Sequence, residues 1–161
     1  NIAVLKRGEV IGTATLHIGG RLISYNGHRV AEIAPSIQRL FTKYDRSYAV
    51  GDDYHEEEQQ FVIQQMMSSL NSVLRASQNE DEMPLLLGHK PDWTEPIDTI
   101  LFSGGVAQCI YPRSDGNCDM GVFNDIGQAI TKACLADPNL KQFQWVGLFL
   151  KNHTHLSIFH R

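Results

Sequence analysis

Apolar and polar positions alternate in short runs over residues 1–33. NIAVL and VIGTATLHI flank KRGE, and in the second run Val10, Gly12, Ala14 and Leu16 alternate with Ile11, Thr13, Thr15 and His17. That period of two is the mark of a half-buried strand, and Gly8 can supply the turn of an antiparallel hairpin. GGRLISY and HRVAEI predict a second hairpin about Asn26-Gly27, because both central residues of a type I′ turn take φ > 0. The period then changes. From Pro35-Ser36, residues Ile37, Leu40, Phe41 and Tyr44 fall at i, i+3, i+4 and i+7, the apolar stripe of a short helix that packs on a sheet.

YDRSYAVGDDY breaks this pattern, and a long helix is predicted from about Asp53, with Glu56 at capping-box spacing and Glu57 and Glu58 at the positive end of its dipole. Phe61, Val62, Met66, Leu70, Val73 and Leu74 keep helical spacing to about Arg75, roughly six turns in all. Residues 77–96, with three prolines and an acidic cluster, read as a surface excursion. IDTILF is bounded by turn signals and predicts a strand buried on both faces. A helical turn or two is expected up to Tyr111, then a loop over PRSDGNCD. Asn124 is the expected cap of a helix to about Ala136, with Ile126, Ala129, Ile130 and Ala133 inward and Asp137-Pro138 as its stop. QWVGLFL and LSIFH read as a terminal strand pair. The pattern is an α/β (α+β) chain without repeats.

With 161 residues, 42% of them hydrophobic, the chain has apolar mass for one core and one domain. Its formal charge of −4 comes without a basic stripe, which excludes a phosphate backbone as the expected partner. No apolar run approaches the roughly 20 residues of a membrane span, and no charged-then-apolar leader opens the sequence, so a cytoplasmic location is expected. Asn1-Ile2-Ala3-Val4-Leu5 begins inside a strand pattern without Met, and the start of the protein is expected upstream. Cys109, Cys118 and Cys134 are odd in number and lack C-x-x-C spacing, so neither a disulfide framework nor a zinc knuckle is expected.

Two glycine pairs invite a chemical reading. In ILFSGGVAQ, a strand runs into Gly104 and Gly105, where the backbone is free to take φ > 0 and a phosphate or nucleoside can approach closely. Tight turns after strands use glycine too, so the pair alone does not decide. HIGGRLI, with Gly19 and Gly20, lies between strands and fits a bulge or sharp crossover as well as a phosphate cradle. Ser103 has no G-x-S-x-G elbow, which argues against a serine hydrolase. His153 and His155, with His160 nearby, could share a metal, but exposed side chains are the favoured explanation. The carboxylates of DDYHEEE suit a charged helix start without any cation.

The order of these pieces adds specificity. NIAVLKRGEVIGTATLHIGGRLI, then a helical excursion, then ILFSGGVAQCIY and FNDIGQAI closely resemble the ethanolamine ammonia-lyase reactivating factors, the ethanolamine utilization protein A family of the actin/Hsp70/sugar-kinase ATPase superfamily. The likeness covers residues 1–33 and 97–140 well; between them it rests on helix placement. It implies a ribonuclease-H-like lobe: residues 1–161 as a single partial domain, the second lobe of an actin-like ATPase, with residues 45–96 a helical insertion subdomain. ATP and Mg²⁺ would lie in the cleft between two lobes of the full-length protein. Ser103, Gly104, Gly105 and Val106 would correspond to the adenosine motif, while Gly19 and Gly20 look like the crossover after the second phosphate loop, near the hinge. Gln64, Gln65 and Arg75 of the long helix are placed to reach adenine, although a solvated helix face explains them too.

The same resemblance implies an ATP-dependent, chaperone-like role: releasing damaged cobalamin from ethanolamine ammonia-lyase so that adenosylcobalamin can bind, with association to a bacterial microcompartment. In the family a DIGGGT phosphate loop directly precedes the position of Asn1, and the other phosphate loop lies further upstream. Phosphoryl transfer depends on positioning and charge stabilisation, so residues 1–161 alone are expected neither to hold nucleotide tightly nor to hydrolyse ATP. No catalytic or metal-binding residue is assigned within them. After the last helix, WVGLFLKNHTHLSIFHR departs from the family pattern. Two alternatives stand beside this reading: a nucleotide-independent docking module for the lyase or the microcompartment, and a small-molecule kinase or hydantoinase-type member of the superfamily.

Overall fold

The computed structural model describes residues 1–102, 110, 124–151 and 155–160. The first hairpin joins β1 (Ile2–Lys6) to β2 (Glu9–Leu16). Arg7 and Gly8 turn it with φ of 52° and 87°. Such a turn matches the right-handed twist of the flanking strands. The register slips between Val4 and Leu5, where Val4 pairs with Gly12 but Leu5 with Val10, leaving Ile11 as an extra residue. That bulge reverses the expected alternation towards the tip: Ala14 and Leu16 point to the core, while Val10 is 60% exposed and Ile11 packs inward instead.

The second hairpin pairs β3 (Ile23–Asn26) with β4 (Arg29–Ile33). Asn26 pairs with Arg29, so the loop is Gly27-His28 rather than the expected Asn26-Gly27, and only Gly27 takes positive φ (61°). A bulge at Ala31 again shifts the register, and the turn moves to the position where the glycine comes first. The aperiodic run after the first helix lies along the outer edge of β4: Val30 N–H donates to Asp52 O (2.9 Å), Gly51 N–H to Val30 O (2.9 Å) and Tyr54 N–H to His28 O (2.6 Å).

Helix α1 (Pro35–Lys43) starts on a proline, whose missing N–H would have no partner in a first turn anyway, and buries Ile37, Leu40 and Phe41. Helix α2 (Glu56–Leu74) begins three residues later than expected, with His55 at its cap, because Asp53 is taken by the bridge to Arg29. It ends at Arg75 with a backward bond from Ser77 N–H to Ser72 O (2.9 Å), and Ala76 carries the left-handed turn at φ 51°.

Residues 77–96 are more than a surface excursion. They form a 3₁₀ turn (Glu80–Glu82) and β5 (Leu86–Leu87), which pairs with β2, and they bury Met83, Leu85, Pro91 and Trp93. Trp93 lies over Gly12, where any Cβ would come within 2.8 Å of its ring. Strand β6 (Thr99–Ile100) pairs in parallel with β7 (Gln144–Lys151), which pairs antiparallel with β8 (His155–His160), the expected terminal pair. β6 is shorter than expected and buried on one side: Ile100 is inside, Leu101 44% exposed. Helices α3 (Gly127–Ala136) and α4 (Pro138–Lys141) join them.

Two apolar clusters result. The larger packs β3–β4, α1, the first half of α2, Ile100 of β6, and Ile126, Ile130 and Leu140. The smaller packs Val4, Ala14 and Leu16 against Val73, Met83 and Trp93. Leu70 of α2 touches both, so this helix couples the hairpin sheet to the rest of the chain. The fold is thus mixed α/β, with antiparallel hairpins and flanking helices. Among the described residues no helix is long and apolar enough to cross a membrane.

Candidate functional site

The crossover after β2 and the start of α3 meet. Gly19 is extended (φ 175°) and Gly20 opens a 3₁₀ turn, Gly20–Leu22. A Cβ on Gly20 would lie 3.0 Å from Gly127 Cα and from Asp125 Oδ1, and 3.1 Å from Asp125 Oδ2, whereas a Cβ on Gly19 would meet nothing. The second glycine of the pair therefore serves close packing of backbone on backbone, as a crossover reading requires and a phosphate cradle does not.

The contact is pinned by hydrogen bonds. Ile126 N–H donates to Gly20 O (3.2 Å), and Tyr25 N–H donates to Asn124 O (2.7 Å) beside a bridge between Ser24 and Asp125. Asp125 Oδ1 accepts from Gly127 N–H (2.8 Å), so this carboxylate closes the turn at the head of α3, where the sequence suggested Asn124. A charged acceptor at a helix start also meets the positive end of the dipole. Ile126 at the cap of α3 and Ile130, Thr131 and Cys134 within it are buried, with Ala129 and Ala133 partly so, matching the expected inward face.

The residues expected to form an adenosine motif, Ser103, Gly104, Gly105 and Val106, lie outside the described residues, as do Cys109, Cys118, His153, the turn expected up to Tyr111 apart from Ile110, and the PRSDGNCD loop. Their flanks are held. Gln144 N–H donates to Asp98 O (2.8 Å) ahead of β6, Phe102 stacks at a tilt on Trp145 (5.2 Å between ring centroids), and Ile110 is helical and buried. On α2, Gln64 is exposed and Arg75 donates to Ser72 Oγ (3.4 Å). His17 keeps a buried Nδ1 while its backbone N–H donates to Leu85 O (2.9 Å). Among the described residues no group of three or more His, Cys, Asp or Glu is placed to hold a metal.

A second feature is a cleft of about 240 Å³ lined by Ser47, Tyr48, Asp52, His55 and Glu56–Glu58, most of them from DDYHEEE. Its carboxylates are largely spent on the protein itself. Arg46 Nε donates to Glu58 Oε2 (2.7 Å) and Nη2 to Glu57 Oε1 (2.8 Å), its guanidinium stacks 4.6 Å from the centroid of Phe61, and Glu56 accepts from Gln60 (3.0 Å). Asp52 accepts from Ala49 N–H (2.8 Å). Of the nearby tyrosines Tyr48 lines the cleft, edge-on to His55, while Tyr25 packs edge-on against Tyr54 and burial pushes its phenol above the ordinary range. The charged helix start expected for DDYHEEE is what the geometry shows.

No curated protein and no solved structure matches the chain. Residues 1–149 match the family model described as ethanolamine utilisation protein EutA, a span that includes the GGRL crossover, SGGVA and FNDIG. That match covers nearly all of the chain and both sides of the Gly20–Asp125 contact, and so the chain belongs to the ethanolamine utilisation protein EutA family and is a protein of ethanolamine utilisation.

Proposed function

We propose that this chain is part of an ATP-dependent, chaperone-like factor that exchanges damaged cobalamin for adenosylcobalamin in ethanolamine ammonia-lyase. In this reading residues 1–161 form most of the second lobe of an actin/Hsp70-type ATPase, with residues 45–96 inserted into it, and Ser103, Gly104, Gly105 and Val106 face the nucleoside of ATP·Mg²⁺. The lyase is the partner, and a microcompartment the setting. Family membership supports the reading, and one observation carries it furthest: two segments of the resemblance, GGRL and FNDIG, are far apart in sequence yet pack backbone against backbone at Gly20 and Gly127. A crossover pressed against the segment that follows the proposed nucleoside loop suits a lobe in which phosphate and nucleoside contacts are set from one frame.

A second reading, a docking module that works without nucleotide, is separated from the first by titration calorimetry of Mg·ATP. The titration uses this chain and one extended upstream through both expected phosphate loops, each with and without Gly105→Trp. Tight binding by the longer chain that the Trp substitution abolishes supports the nucleotide-dependent factor. Absence of binding in both, with ethanolamine ammonia-lyase still retained in a pull-down, supports the docking module. Retention of neither ligand overturns both.

A further inference from the structure

We draw no further inference here: the strongest candidate, the acidic cleft between the 47–52 loop and the start of α2, rests on a helix N-terminus and a cluster of carboxylates already engaged by Arg46, Gln60 and backbone N–H groups, with no second feature that points to a ligand.

Discussion

Gly19→Ala and Gly20→Ala, one position apart, are expected to move stability in opposite directions. At Gly19 the backbone is extended and no atom lies within 4 Å of the new methyl, so alanine only restricts the unfolded chain and stabilises by about 0.4–1 kcal/mol. At Gly20 the methyl would sit 3.0 Å from Gly127 Cα, a backbone atom that cannot swing away, and 3.0–3.1 Å from both Asp125 oxygens. Two responses are open. The chain can keep the contact and take overpacking of about 1–3 kcal/mol, or part the two backbones and leave the Ile126 N–H to Gly20 O bond unmade, about 1–3 kcal/mol. The cheaper route is followed, and after the same unfolded-state gain the net cost is about 1–2 kcal/mol. Urea unfolding of the two variants should therefore differ by about 1.5–3 kcal/mol, and hydrogen exchange in Gly20→Ala should speed at Ile126. Asp125→Ala provides an internal check, since it removes two of the three close atoms. The double variant Gly20→Ala/Asp125→Ala should cost less than the sum of the singles by more than about 0.5 kcal/mol. Equal midpoints for Gly19→Ala and Gly20→Ala, or strict additivity in the cycle, would refute the contact.

Three further outcomes are expected. Ala76→Gly should stabilise by about 0.5–1 kcal/mol in urea unfolding, because Ala76 holds φ 51° at the end of α2, where a Cβ is disfavoured and glycine is not. Gly12→Ala should destabilise by about 1–2 kcal/mol and, in a Trp145→Phe background that leaves a single indole, shift Trp93 emission to the red, since the new methyl displaces the buried ring from 2.8 Å; unchanged emission would mean the ring does not lie on Gly12. Burial, with Asp137 adding to it, raises the Cys134 thiol from 9.0 to about 11. A raised folded value means the unfolded thiolate forms first on going alkaline, so this contribution to stability is whole below about 9 and declines as pH rises towards 11. Cys134→Ala should flatten that alkaline limb, and Ellman titration of the folded Cys109→Ser/Cys118→Ser protein at neutral pH should find Cys134 slow to react.

Much of the fold was legible because its signals are local. Both hairpins, α1, the inward face of α3 and the terminal strand pair follow from period and from Gly or Pro at turns, and these appear close to where the pattern put them. The errors lie where one extra residue or a distant partner intervenes. Ile11 and Ala31 each slip a register by one, which turns Val10 outward and moves the second turn to Gly27-His28; period-two reasoning has no means of foreseeing an insertion. Residues 77–96 look polar and proline-rich, yet the smaller cluster needs Met83 and Trp93 because the hairpin sheet and the end of α2 cannot close it alone.

The candidate site shows the same division. A glycine pair can be seen in a sequence, but which glycine is required depends on what stands opposite, and here that is the Asp125-Ile126-Gly127 turn on the far side of the chain. The distinction bears on function. If Gly20 were a cradle, its Cα would face space that a ligand enters; instead that space is filled by the protein's own backbone, and the crossover is a fixed joint. The bonds from Ile126 to Gly20 and from Tyr25 to Asn124 tie the head of α3 to the crossover and to β3, so any nucleoside contact made through residues 103–106 would be set from a frame in which β3 and the head of α3 are already joined.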